Sequence, residues 1–137
     1  MATVQATSKL VLVVDDFLDN REMYSEFLSF SGFRVIEASN GLEAVETAKA
    51  HRPDIIIMDL SLPVMDGWEA TRLLKADQGT RNIPVVALTG HSLAAHSKDA
   101  QAAGCDSVLT KPCLPDQLVV EIRRMLGDGT LSICSKP

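Results

Sequence analysis

The run Ile55-Ile56-Ile57-Met58 restricts the fold more than any other part of the chain. Four consecutive apolar residues, three of them β-branched, offer water no polar face, so they read as a strand covered on both sides. Asp59 follows at once and therefore stands at the strand's carboxyl end. In open α/β sheets that end is where ligands and chemistry collect, which makes Asp59 a candidate nucleophile or metal ligand. An aspartate ending a strand is also a common turn or cap residue, so its meaning depends on its neighbours. Beyond it Pro63 lacks a backbone donor and suits a loop, and Asp66-Gly67 reads as a helix start with Asp66 as N-cap.

The same grammar recurs along the chain. Lys9 to Val14 is a second apolar strand, ending in Asp15-Asp16, and Asn20 to Ser31 follows at helical spacing until Ser31-Gly32 stops it. Phe33 to Ala38 is less uniformly apolar, as an edge strand is. Asn40-Gly41 opens a helix through Ala50, and Pro53 precedes the Asp59 strand. A third helix is expected from Asp66 to Lys75, carrying Trp68 and Leu73-Leu74. A fourth strand, Ile83 to Leu88, ends in Thr89-Gly90; an alanine-rich helix with few large apolar residues follows from about Ser92 to Ala103, closed by Gly104. A short fifth strand, Asp106 to Thr110, ends in Lys111-Pro112. The last helix runs from Pro115 to Leu126, with Leu118, Ile122, Met125 and Leu126 on one face. Strands alternating with helices imply right-handed crossovers and a parallel sheet covered on both faces, a doubly wound α/β fold with five strands.

The length of 137 residues suits one domain, expected over 9–126, with flexible terminal segments at 1–8 and 127–137. A net charge of −5 argues against nucleic acid as a direct partner, because phosphate backbones need a basic face. The first apolar run is too short for a signal segment or membrane span. Cys105, Cys113 and Cys134 are odd in number and lack C-x-x-C spacing, so reduced thiols in a cytoplasmic protein are expected rather than a disulfide framework or zinc site. His51, His91 and His96 read as surface histidines. Trp68 is equally compatible with packing beside its loop and with a binding role.

In a parallel sheet every strand's carboxyl end lies on one edge. That edge is expected to gather Asp15 and Asp16, Asp59, Thr89 and Lys111. Carboxylates brought together repel, so either a raised pKa or a bound divalent cation is expected, and an acid-only site suits hard, oxygen-seeking Mg2+. A lysine and a hydroxyl beside such a cation are what a transferred phosphoryl group requires. Asp59 is then the carboxylate that attacks phosphorus.

With these residues the chain, from Lys9 to Leu126, resembles a response-regulator receiver domain of two-component signalling, single-domain and chemotaxis-receiver-like. The resemblance rests on Asp15-Asp16, on Asp59 followed by Leu62-Pro63-x-Met65-Asp66-Gly67, on Thr89 and on Lys111-Pro112. It implies a flavodoxin-like fold with strand order 2-1-3-4-5, a chemotaxis receiver being a standard example of that order. It further implies direct Mg2+ ligation by Asp16, Asp59 and the Ser61 carbonyl, with Asp15 acting mainly through water. A histidine kinase or histidine phosphotransfer protein would phosphorylate Asp59. Lys111 would pair with the phosphoryl oxygens, Thr89 would move to hydrogen-bond another, and a cis bond before Pro112 would aim the lysine inward.

Three departures from the family pattern modify these expectations. Val108 stands where many receivers carry Tyr or Phe, so the signal is expected to travel through Thr89, the loop from Gly90 and the Ser92–Ala103 helix. Ser61 and His91 stand where the family tunes attack by water, and neither orients water as well as an acid or amide, so a phosphorylated state lasting minutes or longer is expected. No DNA-binding or enzymatic segment follows Leu126, so output is expected through protein contact on the face of the fourth helix, fifth strand and fifth helix, unless the sequence is a piece of something larger. Three rivals stand beside this reading. A haloacid-dehalogenase-type phosphohydrolase would need Asp-x-Asp-x-Thr where Asp15-Asp16 are adjacent, and an FMN carrier would need a phosphate loop where Asp15, Asp16 and Asp19 repel one. The third is a receiver fold that binds partners without phosphorylation.

Overall fold

The computed structural model describes residues 9–60, 67–89, 104–111 and 113–127. Five parallel strands, β1 (Leu10–Val14), β2 (Arg34–Ala38), β3 (Ile55–Asp59), β4 (Val85–Thr89) and β5 (Ser107–Thr110), form one sheet in the order β2-β1-β3-β4-β5. The expected doubly wound topology is therefore the observed one. Four helices lie in the described residues: α1 (Leu18–Phe30), α2 (Gly41–His51), α3 (Gly67–Ala76) and α4 (Pro115–Leu126). The helix expected over Ser92 to Ala103, with His91 and His96, lies outside the described residues. So do Ser61 to Asp66, with the Asp66 cap, and Pro112 with its expected cis bond. The same holds for residues 1–8 and for 128–137 with Cys134.

Strand periodicity divides the core into two layers. Val11, Val13, Ile55, Ile57, Val86 and Leu88 point to one face, where Tyr24 and Leu28 of α1 and Leu118, Val119 and Ile122 of α4 cover them. Leu12, Val14, Ile56, Met58 and Val85 point to the other, under Ala44, Val45 and Ala48 of α2 and Ala70 and Leu74 of α3. β3 and β4 are buried at every position, which explains their unbroken apolar runs; β2, on the edge, mixes exposed and half-buried residues before the buried Ala38. Burying each large aliphatic side chain contributes about 1.5–3 kcal/mol, so both layers hold the sheet rigid beneath its carboxyl edge.

Element ends differ slightly from those expected. α1 begins at Leu18 rather than Asn20, with Phe17 as its cap residue, and α2 runs to His51, where Arg52 takes a left-handed φ of 48° and closes it. β4 begins at Val85 because Pro84 has no N–H; its carbonyl still accepts from Ile56 N. Asn40 caps α2 by accepting from the Glu43 N–H at 2.8 Å. Asp106 Oδ2 accepts from both Val85 N and Lys75 Nζ, tying β4 to the start of β5 and to α3.

Candidate functional site

Because all strands run parallel, the residues at their ends converge. The β1–β2 ladder continues one step past β1, with the Asp15 N–H donating to the Ala38 carbonyl at 3.1 Å, so Asp15 leaves the sheet at its rim. The residue is 2 % exposed. Oδ1 accepts from the Phe17 N–H at 2.9 Å, whereas Oδ2 is buried with no hydrogen-bond partner among the described residues. Asp59 ends β3 and is 3 % exposed. Asp16 is exposed at the mouth. Carboxylate oxygens of Asp15, Asp16 and Asp59 all lie within 4.8 Å of one another.

Cationic and hydroxyl groups come from the neighbouring strands. Lys111 Nζ donates to Asp59 Oδ2 at 3.0 Å, and the Lys111 N–H donates to the Thr89 carbonyl at 2.7 Å. Thr89 is buried at the end of β4. Burial, above all, pushes the Asp15 carboxyl above the ordinary aspartate range; the Phe17 N–H opposes this, the charge of Asp59 adds to it, Lys111 counters, and Asp16 adds again. Gly67 closes the floor: a Cβ there would meet the Asp59 carbonyl at 2.6 Å and Leu60 Cα at 2.8 Å, so only glycine lets α3 start against the Asp59 backbone.

The structure thus brings together Asp15, Asp16, Asp59, Thr89 and Lys111, while Ser61 lies outside the described residues. Among the described residues, an oxygen-only donor set with one buried, unpartnered carboxylate oxygen fits a hard divalent cation. Cys105 and Cys113 are free, and burial raises both thiols, which disfavours reactive thiolates at either position. Two residues with polar reach into this region were not singled out from sequence. Arg21 Nη1 donates to the Asp15 carbonyl at 2.9 Å while its Nε donates to Glu37 at 2.9 Å. Tyr24, on the buried side of α1, donates its hydroxyl to the Cys113 carbonyl at 2.8 Å. The available signal was a polar-tipped aromatic on the buried stripe of a helix, which ordinarily finds a hydrogen-bond partner.

A parallel sheet that gathers buried carboxylates, a hydroxyl and an ammonium on its carboxyl edge defines an α/β domain built around an oxygen-rich cation pocket. Comparison with known proteins narrows that class: the chain belongs to the response regulator receiver domain family, whose profile matches residues 11–123. Among similar sequences is the polar-differentiation response regulator DivK of Brucella anthropi, 36 % identical over 121 residues, covering 88 % of this chain and 98 % of DivK. Among solved structures is the receiver domain of the sensor histidine kinase PA1611 from Pseudomonas aeruginosa, with a magnesium ion coordinated in its active-site cleft. It is 33 % identical, with a TM-score of 0.82, covering 89 % of this chain and 100 % of that one. The chemotaxis response regulator CheY4 of Vibrio cholerae matches at 32 % identity and a TM-score of 0.82, over 86 % of this chain and 98 % of its own.

The protein is accordingly a regulatory, phosphorylation-dependent switch of two-component signalling. Receiver domains interact with histidine kinases or phosphotransfer proteins and with downstream partners. Among the described residues, no helix is long and apolar enough to cross a membrane.

Proposed function

We propose that Asp59 is the phosphoacceptor, taking the phosphoryl group from a phosphohistidine of a histidine kinase or phosphotransfer protein. An oxygen of its carboxylate forms the new bond to phosphorus as the bond from phosphorus to the donor imidazole nitrogen breaks and the ring leaves with that electron pair. The observation that carries this reading is the 3.0 Å contact from Lys111 Nζ to Asp59 Oδ2 inside a cluster of acids. It stations a positive charge at the reacting carboxylate, where the equatorial oxygens of the transferred group gather negative charge. Thr89, buried at the adjacent strand end, supplies the hydroxyl that turns to a phosphoryl oxygen.

Asp15, Asp16 and Asp59, with the Ser61 carbonyl that the resemblance implies, would hold Mg2+. Bound there, the cation offsets the charge of the acids and of the incoming phosphoryl oxygens. Residues 9–126 act as one receiver domain that promotes its own phosphorylation and slow dephosphorylation. Output passes to a protein partner over the face of β5, α4 and the expected Ser92–Ala103 helix, and the two free thiols suit the cytoplasm.

Intact-mass measurement after incubation with acetyl phosphate and Mg2+ tests the reading. One phosphoryl adduct is expected on the wild-type chain, and none on Asp59→Asn or after chelation. An adduct that survives Asp59→Asn would move the acceptor elsewhere.

A further inference from the structure

We propose that Tyr24 is a positioning residue for Lys111, its hydroxyl fixing the main chain that carries the ammonium toward Asp59. The inference rests on the role just assigned to Lys111. Pairing of β4 with β5 ends at Thr89 opposite Thr110, so Lys111 is the first residue beyond the sheet. One side of it is pinned by its own N–H to the Thr89 carbonyl at 2.7 Å. Two residues on, before α4 starts at Pro115, the Cys113 carbonyl accepts from the Tyr24 hydroxyl at 2.8 Å. Lys111 is thus held by the strand that carries Thr89, and Cys113, two residues on, by α1.

The lysine has somewhere else to go. Its side chain is 28 % exposed and borders a cleft of about 520 Å³ whose walls include Met23, Tyr24, Cys113, Leu114 and Pro115. A long flexible side chain beside such a cleft keeps its contact with Asp59 only if its base is held still. Tyr24 suits the task. The residue is 5 % exposed and packed in the α1–α4 layer, so packing already sets the ring's position and the hydroxyl adds only the tether. Burial, first of all, pushes the phenol up to about 12, so it stays a donor throughout the neutral range.

The test compares the full chain with Tyr24→Phe, Lys111→Ala and the double variant, all at saturating Mg2+. Each variant's maximal rate of phosphorylation by acetyl phosphate is read by intact mass, with Mg2+ affinity by calorimetry and folding by urea titration. Tyr24→Phe is expected to lower the maximal rate about fivefold, the effect of one lost hydrogen bond, with Mg2+ affinity unchanged. Lys111→Ala should be slower still, and Tyr24→Phe should add nothing to it. Tyr24→4-aminophenylalanine, which keeps a donor at the same point, should restore the rate, and it provides the test if Tyr24→Phe does not fold. An unchanged rate in Tyr24→Phe, equal slowing in both backgrounds, or a folded donor-bearing variant that stays slow overturns the inference. If Lys111→Ala itself reacts at the wild-type rate, the assignment of Lys111 fails instead, and the inference with it.

Discussion

Asp15→Asn should make the metal-free protein more stable. The oxygens of Asp15 and Asp59 come within 4.8 Å, and both side chains are buried. Two unit charges at that separation repel by about 3.5 kcal/mol at an effective dielectric constant of ~20. Lys111, bonded to Asp59, offsets part of this, and an asparagine Oδ1 can still accept from Phe17 N. A net gain of about 1–2 kcal/mol is expected in EDTA at pH 7, roughly half the bare repulsion. The pH dependence has a definite sign. Asp15 has a raised folded pKa, so the folded state binds its proton more readily than the unfolded chain does, and ionisation destabilises the fold as pH rises through that value. The advantage of Asp15→Asn is therefore present at neutral pH and closes on acidification. Mg2+ reverses the order: above its dissociation constant, stability rises by about 1.4 kcal/mol per decade of free cation, and the variant, with a weaker ligand, begins that rise later. Urea titrations in EDTA at neutral and acidic pH, and across a Mg2+ series, read all three effects. A variant less stable than wild type in EDTA, or equal Mg2+ responses in the two proteins, would refute the electrostatic argument.

Two further outcomes follow from local geometry. Gly67→Ala places a methyl group 2.6 Å from the Asp59 carbonyl, so unfolding measurements should show a loss of about 1–3 kcal/mol, and phosphorylation should slow because the backbone bearing Asp59 must shift. Glu121, held below the usual carboxylate range first by its hydrogen bond from Arg124 and also by one from Ser107, contributes stability above the unfolded-state carboxylate pKa and loses it as pH falls through its own lowered value. Glu121→Gln should thus be less stable than wild type near neutrality, the gap closing in acid; a gap of constant size across that range would assign the loss to packing instead.

Much of this molecule can be read locally. Ile55 to Met58 and Val85 to Leu88 are apolar without interruption because both faces are covered, and that property alone implies helices on each side and a parallel sheet. Asn40 before Gly41 and Pro115 at the start of α4 marked helix beginnings because capping depends on neighbouring residues only. Parallel strands put every carboxyl end on one edge, so the grouping of Asp15, Asp16, Asp59, Thr89 and Lys111 followed from the strand assignments. Distances and burial did not follow. That Asp15 Oδ2 is buried without a partner among the described residues, that Lys111 reaches Asp59, and that α3 begins hard against the Asp59 backbone depend on how whole elements pack. Tyr24 and Cys113 are far apart along the chain and share no pattern, so their hydrogen bond exists only once α1 and α4 lie side by side on one face of the sheet. Side-chain spacing records what a residue buries, whereas the partner of a buried polar atom is chosen by tertiary proximity.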